Sequence, residues 1–165
     1  MAETLKILVT CKPYKEIKAL EEILSLLFQF DPSSKLDDIQ IKPGLFSVET
    51  QAKKEDIVKV LLKYRRSYIY KVFPIDLITN NIEEISKLFN LIEESKSLAI
   101  RCRSRFGISA GEIERKLGEI AKNRGLKINL ENPDYVIVIE PVKGDFYISF
   151  LTFFQYKILT GRKLL

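Results

Sequence analysis

Residues 97–140 read SLAIRCRSRFGISAGEIERKLGEIAKNRGLKINLENPDYVIVIE. Leu98, Ile100 and Cys102 share one parity, and Arg101, Arg103 and Arg105 share the other. On a strand this pattern predicts three arginines on one face and apolar side chains on the opposite one. Gly107 ends the strand. Ser109-Ala110-Gly111-Glu112 has the spacing of a capping box and opens a helix to about Asn123, with Ile113, Leu117, Ile120 and Ala121 inward. Gly125 is a good terminator. Lys127 to Leu130 reads as a short strand and Asn132-Pro133-Asp134 as a turn. Tyr135 to Ile139 is apolar at both parities, which predicts a central strand covered on both faces.

Working outward, Gly144 turns the chain into a last strand from Phe146 to Phe153 or beyond. Upstream, Thr79-Asn80-Asn81 is able to cap a helix from Ile82 to about Glu94, with Ile82, Ile85, Leu88, Phe89 and Ile92 as its apolar stripe. Before that, Leu5 to Cys11 reads as a strand, broken by Pro13. A helix from Tyr14 places Ile17, Leu20, Ile23, Leu24 and Leu27 on one face, and Asp31-Pro32-Ser33-Ser34 stops it. Asp38 to Ile41 and Leu45 to Thr50 form a hairpin about Lys42-Pro43-Gly44. Lys54 to Tyr64 is helical, with Ile57, Val58, Leu61 and Leu62 inward, and Ser67 to Phe73 is a Tyr-rich strand. The order β-α-β-β-α-β is ferredoxin-like. The predicted class is α+β: a ferredoxin-like domain over residues 1–76, a second α/β domain over 80–155, and a C-terminal tail over 156–165. No internal repeat or low-complexity segment is present.

The chain of 165 residues holds 27 Lys+Arg against 22 Asp+Glu, no His, no Trp and two Cys. Without histidine there is no Ser-His-Asp or Cys-His pair and no imidazole base. Zinc sites built on His or on Cys-x-x-Cys pairs are excluded too. Cys11 and Cys102 lie far apart in apolar runs and read as buried reduced thiols. No glycine-rich loop with phosphate-binding spacing follows a strand. No secretion signal or membrane span is visible. The expectation is a soluble cytoplasmic protein with no metal, no cofactor and no catalytic centre, hence not an enzyme.

The net charge of +5 has a location. Residues 96–125 contain eight basic and three acidic groups, and over the rest of the chain the two signs cancel. A concentrated basic unit is the usual footprint of a polyanion site, and arginine suits phosphate through its planar fork. The candidate RNA-binding residues are Arg101, Arg103, Arg105, Lys116, Lys122 and Arg124, with Ser109 and the amides opening its helix as a further phosphate site. A smaller basic group in the first half, Arg65, Arg66 and Lys71, lies beside Tyr64, Tyr68 and Tyr70.

The same stretch resembles the THUMP domain, an RNA-binding module of tRNA-modifying proteins. The matching features are the Arg-bearing strand, the helix with Glu112 and Leu117-Gly118, the strand ending near Leu130, Asn132-Pro133-Asp134, and the aliphatic strand ending in Glu140. The resemblance covers about residues 80–155, and such domains commonly follow a ferredoxin-like unit. It implies tRNA as partner. The chain stops soon after this region, and Ile7 to Leu24 is similar to the start of the free-standing THUMP adaptor of the tRNA cytidine acetyltransferase. The expected function is therefore a non-catalytic adaptor that presents tRNA to a separate acetyltransferase. The alternative is a module that recruits an RNA-modifying enzyme through Phe146 to Tyr156 and Gly161-Arg162-Lys163, with weak RNA binding of its own.

Overall fold

The computed structural model describes residues 3–162. They divide into two units: the residues before Asp76 together with those from Lys157 onward, and Asp76–Tyr156.

In the first unit the order is β1 (Leu5–Cys11), α1 (Glu16–Leu27), β2 (Lys35–Lys42), β3 (Leu45–Thr50), α2 (Lys54–Lys63) and β4 (Ile69–Ile75). The sheet order β2-β3-β1-β4, all antiparallel, is the ferredoxin-like arrangement. Ile7, Leu8 and Val9 of the central strand β1 are fully buried, as its unbroken apolar run requires. At the β2–β3 turn Gly44 has φ +82°, and a Cβ there would meet the Cys11 carbonyl at 2.7 Å. Only glycine fits this close approach.

The buried face of α1 differs from expectation. Ala19, Glu22, Ile23, Leu26 and Leu27 are buried, whereas Ile17 is 61% exposed. The face is rotated because Glu22 goes inside. Its carboxylate accepts from the amides of Ser67 (2.7 Å), Tyr68 (2.9 Å) and Ile69 (2.9 Å) and from the Tyr64 hydroxyl (2.9 Å). A buried carboxylate with four donors is a satisfied one, so an apolar stripe alone misplaces the helix. Leu62, expected inward, is exposed on α2.

The second unit runs β5 (Leu77–Thr79), α3 (Ile82–Ser86), a 3₁₀ turn (Lys87–Leu91), β6 (Ser97–Cys102), α4 (Ala110–Asn123), β7 (Lys127–Ile128), β8 (Tyr135–Val142), β9 (Asp145–Thr152) and α5 (Phe153–Leu159), whose last residues belong to the first unit. The sheet order is β5-β9-β8-β6-β7. β6 pairs in parallel with β7 and β8, and β9 pairs antiparallel with β8 and β5. Val136, Ile137, Val138 and Ile139 are all buried, consistent with a strand apolar at both parities. Ile85, Phe89, Leu98, Ile100, Leu117 and Ile137 lie in one core cluster.

Two elements depart from expectation here. The helix predicted to about Glu94 is α-helical only to Ser86. The Asn81 side chain caps its start at 2.9 Å from the Glu83 amide, but the Ser86 hydroxyl bonds back to the Glu83 carbonyl at 2.6 Å and the chain tightens into the 3₁₀ turn. The stretch from Tyr156, expected as a tail, is helical through Leu159. Thr152 and Gln155 exchange hydrogen bonds at 3.0 and 3.2 Å, a capping box that starts α5. Lys163, in the stretch read as a docking tail, lies outside the described residues.

Candidate nucleic-acid interface

The interface is built on β6, the loop of residues 103–109 and α4. Strand β6 ends at Cys102, so the expected face of three arginines is not formed. Arg101 alone is on the strand. Its Nη2 donates to the Leu130 carbonyl at 2.7 Å, while its buried Nε has no hydrogen-bond partner. Beyond Cys102 the Arg103 amide donates to the Ile139 carbonyl at 3.1 Å, and the chain then reverses through Phe106 (φ 50°) and Gly107 (φ 80°). Two consecutive left-handed residues end any strand parity.

This reversal gives the arginines different roles. Arg103 is exposed. Arg105 points inward and forms an ion pair with Glu140 of β8, their side chains 11% and 3% exposed. The Phe106 ring is left 47% exposed. The capping box expected at Ser109–Glu112 is not made, since the Ser109 side chain has no cap hydrogen bond. The Ser104 hydroxyl instead accepts from the Ala110 amide at 3.1 Å. Ser109 is thus exposed beside the opening of α4, where backbone donors favour an anion.

Lys116 and Lys122 are exposed on α4. Arg115 and Lys122, about two helical turns apart, line a cleft of about 320 Å³ together with Ile100, Ile128 and Leu130. Glu114 and Glu119 line it as well, so its rim carries both signs. Arg124 is exposed but bonded to the protein's own oxygens. It donates to the Ser86 carbonyl (3.0 Å) and Asn90 Oδ1 (3.1 Å), with its guanidinium 5.9 Å from the Phe89 ring centroid.

In the first unit, Arg65 is exposed and Lys71 half-buried. Arg66 holds carbonyls: Tyr70 at 2.7 Å, Leu159 at 3.1 Å, and Ile158. The Tyr64 hydroxyl is engaged with Glu22. Of the residues singled out by sequence, Arg103, Ser109, Lys116, Lys122 and Arg65 therefore present themselves outward. Arg66, Arg101, Arg105 and Arg124 bond to the protein's own oxygens. Sequence reasoning missed Phe106 and Arg115. An aromatic immediately before a glycine, after an Arg-Ser-Arg run, was the available signal for the first.

The remaining chemistry is sparse. Among the described residues no group of three or more His, Cys, Asp or Glu is placed to hold a metal, and no helix is long and apolar enough to cross a membrane. Both cysteines are free thiols. Burial, with Glu114 and Glu140 nearby, pushes the Cys102 thiol up to about 12. Burial, with Glu16 nearby, pushes Cys11 up to about 11. Neither is a thiolate at neutral pH. In the Asn132-Pro133-Asp134 turn, the Asp134 carboxylate accepts from the Ser97 amide (2.8 Å) and hydroxyl (3.0 Å), fastening the turn to the start of β6.

Comparison with known proteins places this geometry. The model of the THUMP domain, a module associated with RNA binding and tRNA modification, matches residues 75–151. The chain is 29% identical over 147 residues to the protein named "Probable tRNA sulfurtransferase" from Methanocaldococcus jannaschii, a match covering 79% of this chain and 38% of that protein. It thus spans about two fifths of the length of that curated relative. PH1313 from Pyrococcus horikoshii Ot3 has a similar fold, with TM-score 0.61, 22% identity, and coverage of 90% of this chain and 55% of that one. So has a 4-thiouridine synthetase solved as an RNA complex with bound ATP, with TM-score 0.53, 18% identity, and coverage of 91% and 42%.

These findings correct the expectation that the chain is not an enzyme. The relative aligned along most of it is named as an enzyme. The lack of histidine constrains only the chemistry that these residues supply. Residues 75–151, carrying the exposed Arg103, Lys116 and Lys122, match the THUMP domain model.

Proposed function

We propose that the chain binds tRNA through its THUMP domain and serves tRNA thiolation, sulfur transfer to a nucleoside of the bound tRNA. The carrying observation is the coincidence of the matched domain with the whole excess positive charge of the protein, confined to residues 96–125. Exposed Arg103, Lys116 and Lys122 neutralise phosphates, Ser109 and the first amides of α4 hold another, and the Phe106 ring offers a stacking face for an unpaired base. Phosphate contacts position an RNA without reading its sequence, so selection rests on tRNA shape. The sulfur-transfer assignment is supported by the relative that aligns along most of the chain.

Mass spectrometry of tRNA nucleosides from a strain lacking the protein tests this. Thiolated uridine should fall to background. Unchanged thiolation would overturn the sulfur-transfer reading, and loss of acetylated cytidine in its place would assign the chain to presenting tRNA to the cytidine acetyltransferase.

A further inference from the structure

The first unit carries an exposed aromatic held in the same way as Phe106. Tyr14, between β1 and α1, has φ 71° and is 85% exposed. A left-handed backbone is an outlier for a bulky residue, and glycine or asparagine would hold such a turn at lower cost. Exposing the ring forfeits its burial as well. The loop is nevertheless fixed. The Cys11 amide donates to the Gly44 carbonyl at 2.9 Å, the Lys15 amide to the Lys12 carbonyl at 3.0 Å, and the Gly44 amide to the Glu16 carboxylate at 3.0 Å.

Those bonds tie the Tyr14 loop to the Lys42-Pro43-Gly44 turn. Lys12, Lys15 and Lys18 flank the ring in sequence, and Lys42 opens the fastened turn; all four are exposed. None of the four is ion-paired among the described residues. Glu16, the first residue of α1, accepts from the Gly44 amide, which leads the causes lowering its pKa, so one carboxylate stands against four lysines here. An exposed aromatic on a loop that carries lysines free of ion pairs suits single-stranded nucleic acid: the ring stacks a base and the ammonium groups follow the backbone.

We propose that Tyr14, with Lys12, Lys15, Lys18 and Lys42, is a second RNA contact, stacking one unpaired base of the bound RNA. This rests on the reading of the chain as an RNA-binding protein, and it adds a site on the first unit that the basic strand-helix unit does not supply.

The protein has no tryptophan, so Tyr14→Trp introduces a single indole at the site, excited selectively over the tyrosines. Short single-stranded oligoadenylate and unfractionated tRNA should both quench its emission, and heparin at equal charge should not. Tyr14→Gly, which relieves the left-handed strain, should hold or raise the melting temperature while weakening tRNA binding about 5- to 100-fold. Emission unmoved by bound RNA, quenching by heparin alike, or unchanged tRNA affinity in Tyr14→Gly would overturn the site. If tRNA affinity is intact in the Tyr14 variants but falls with Arg103 and Lys116, only this site fails. If the unsubstituted protein binds no tRNA, the underlying reading fails and takes this site with it.

Discussion

Replacing Arg105 by alanine should cost about 3–5 kcal/mol of stability, the range for breaking a buried ion pair. The residue reads in sequence as one of six phosphate contacts, yet its guanidinium is paired with Glu140 at a position where the carboxylate side chain is 3% exposed. Alanine at 105 removes the guanidinium that faces that buried charge. Glu140→Ala should cost a similar amount for the converse reason. The double change Arg105→Met with Glu140→Leu removes both charges and keeps the volume, so it should recover most of the loss. Chemical denaturation of the three variants checks this. The double variant should bind tRNA within a few-fold of the unsubstituted protein, because Arg105 is turned inward to Glu140 while the exposed Arg103, Lys116 and Lys122 are untouched. A single variant as stable as the unsubstituted protein would show that the pair does not hold the loop.

Glu22→Ala should be the second most damaging change, at about 2–4 kcal/mol, because it strips one acceptor group from four donors at once. Burial alone would raise the Glu22 pKa. The amides of Ser67, Tyr68 and Ile69 and the Tyr64 hydroxyl outweigh it and hold the carboxyl below its ordinary value of 4.5. A carboxylate whose folded pKa is depressed stabilises the fold fully above the unfolded value, and that contribution is lost as pH falls through the lowered folded value. Denaturation midpoints measured downward from pH 6 should therefore fall more steeply below about pH 4.5 for the unsubstituted protein than for Glu22→Gln. Parallel curves would contradict the assignment.

These residues show where the sequence was readable. Strand β1 and the β3 hairpin arm were clear because a local apolar run bounded by a breaker admits few alternatives. The charge excess falls within the residues that match the THUMP domain model. The fate of individual arginines was not readable, because strand parity carries meaning only while the strand continues. It stops at Cys102, and the left-handed pair Phe106 and Gly107 sends Arg105 in and Arg103 out. Helix capping shows both sides of the same difficulty. Ser109–Glu112 has the spacing of a capping box that the chain does not use, since Ser104 reaches the Ala110 amide across the loop. Thr152–Gln155 has the same spacing, does form the box, and was hidden inside an aromatic run that reads as strand. On α1, the buried Glu22 was obscured because its donors lie more than forty residues away.

The central claim is that the exposed cations of the THUMP domain hold tRNA. Its most direct test is tRNA affinity measured from about 50 to about 200 mM salt. Combined Arg103→Ala, Lys116→Ala and Lys122→Ala should weaken binding and flatten the log–log salt slope by about one unit per lost phosphate contact. Arg124→Ala, which removes a guanidinium already bonded to Ser86 and Asn90, should leave the slope unchanged. An unchanged affinity and slope in the triple variant would contradict the account.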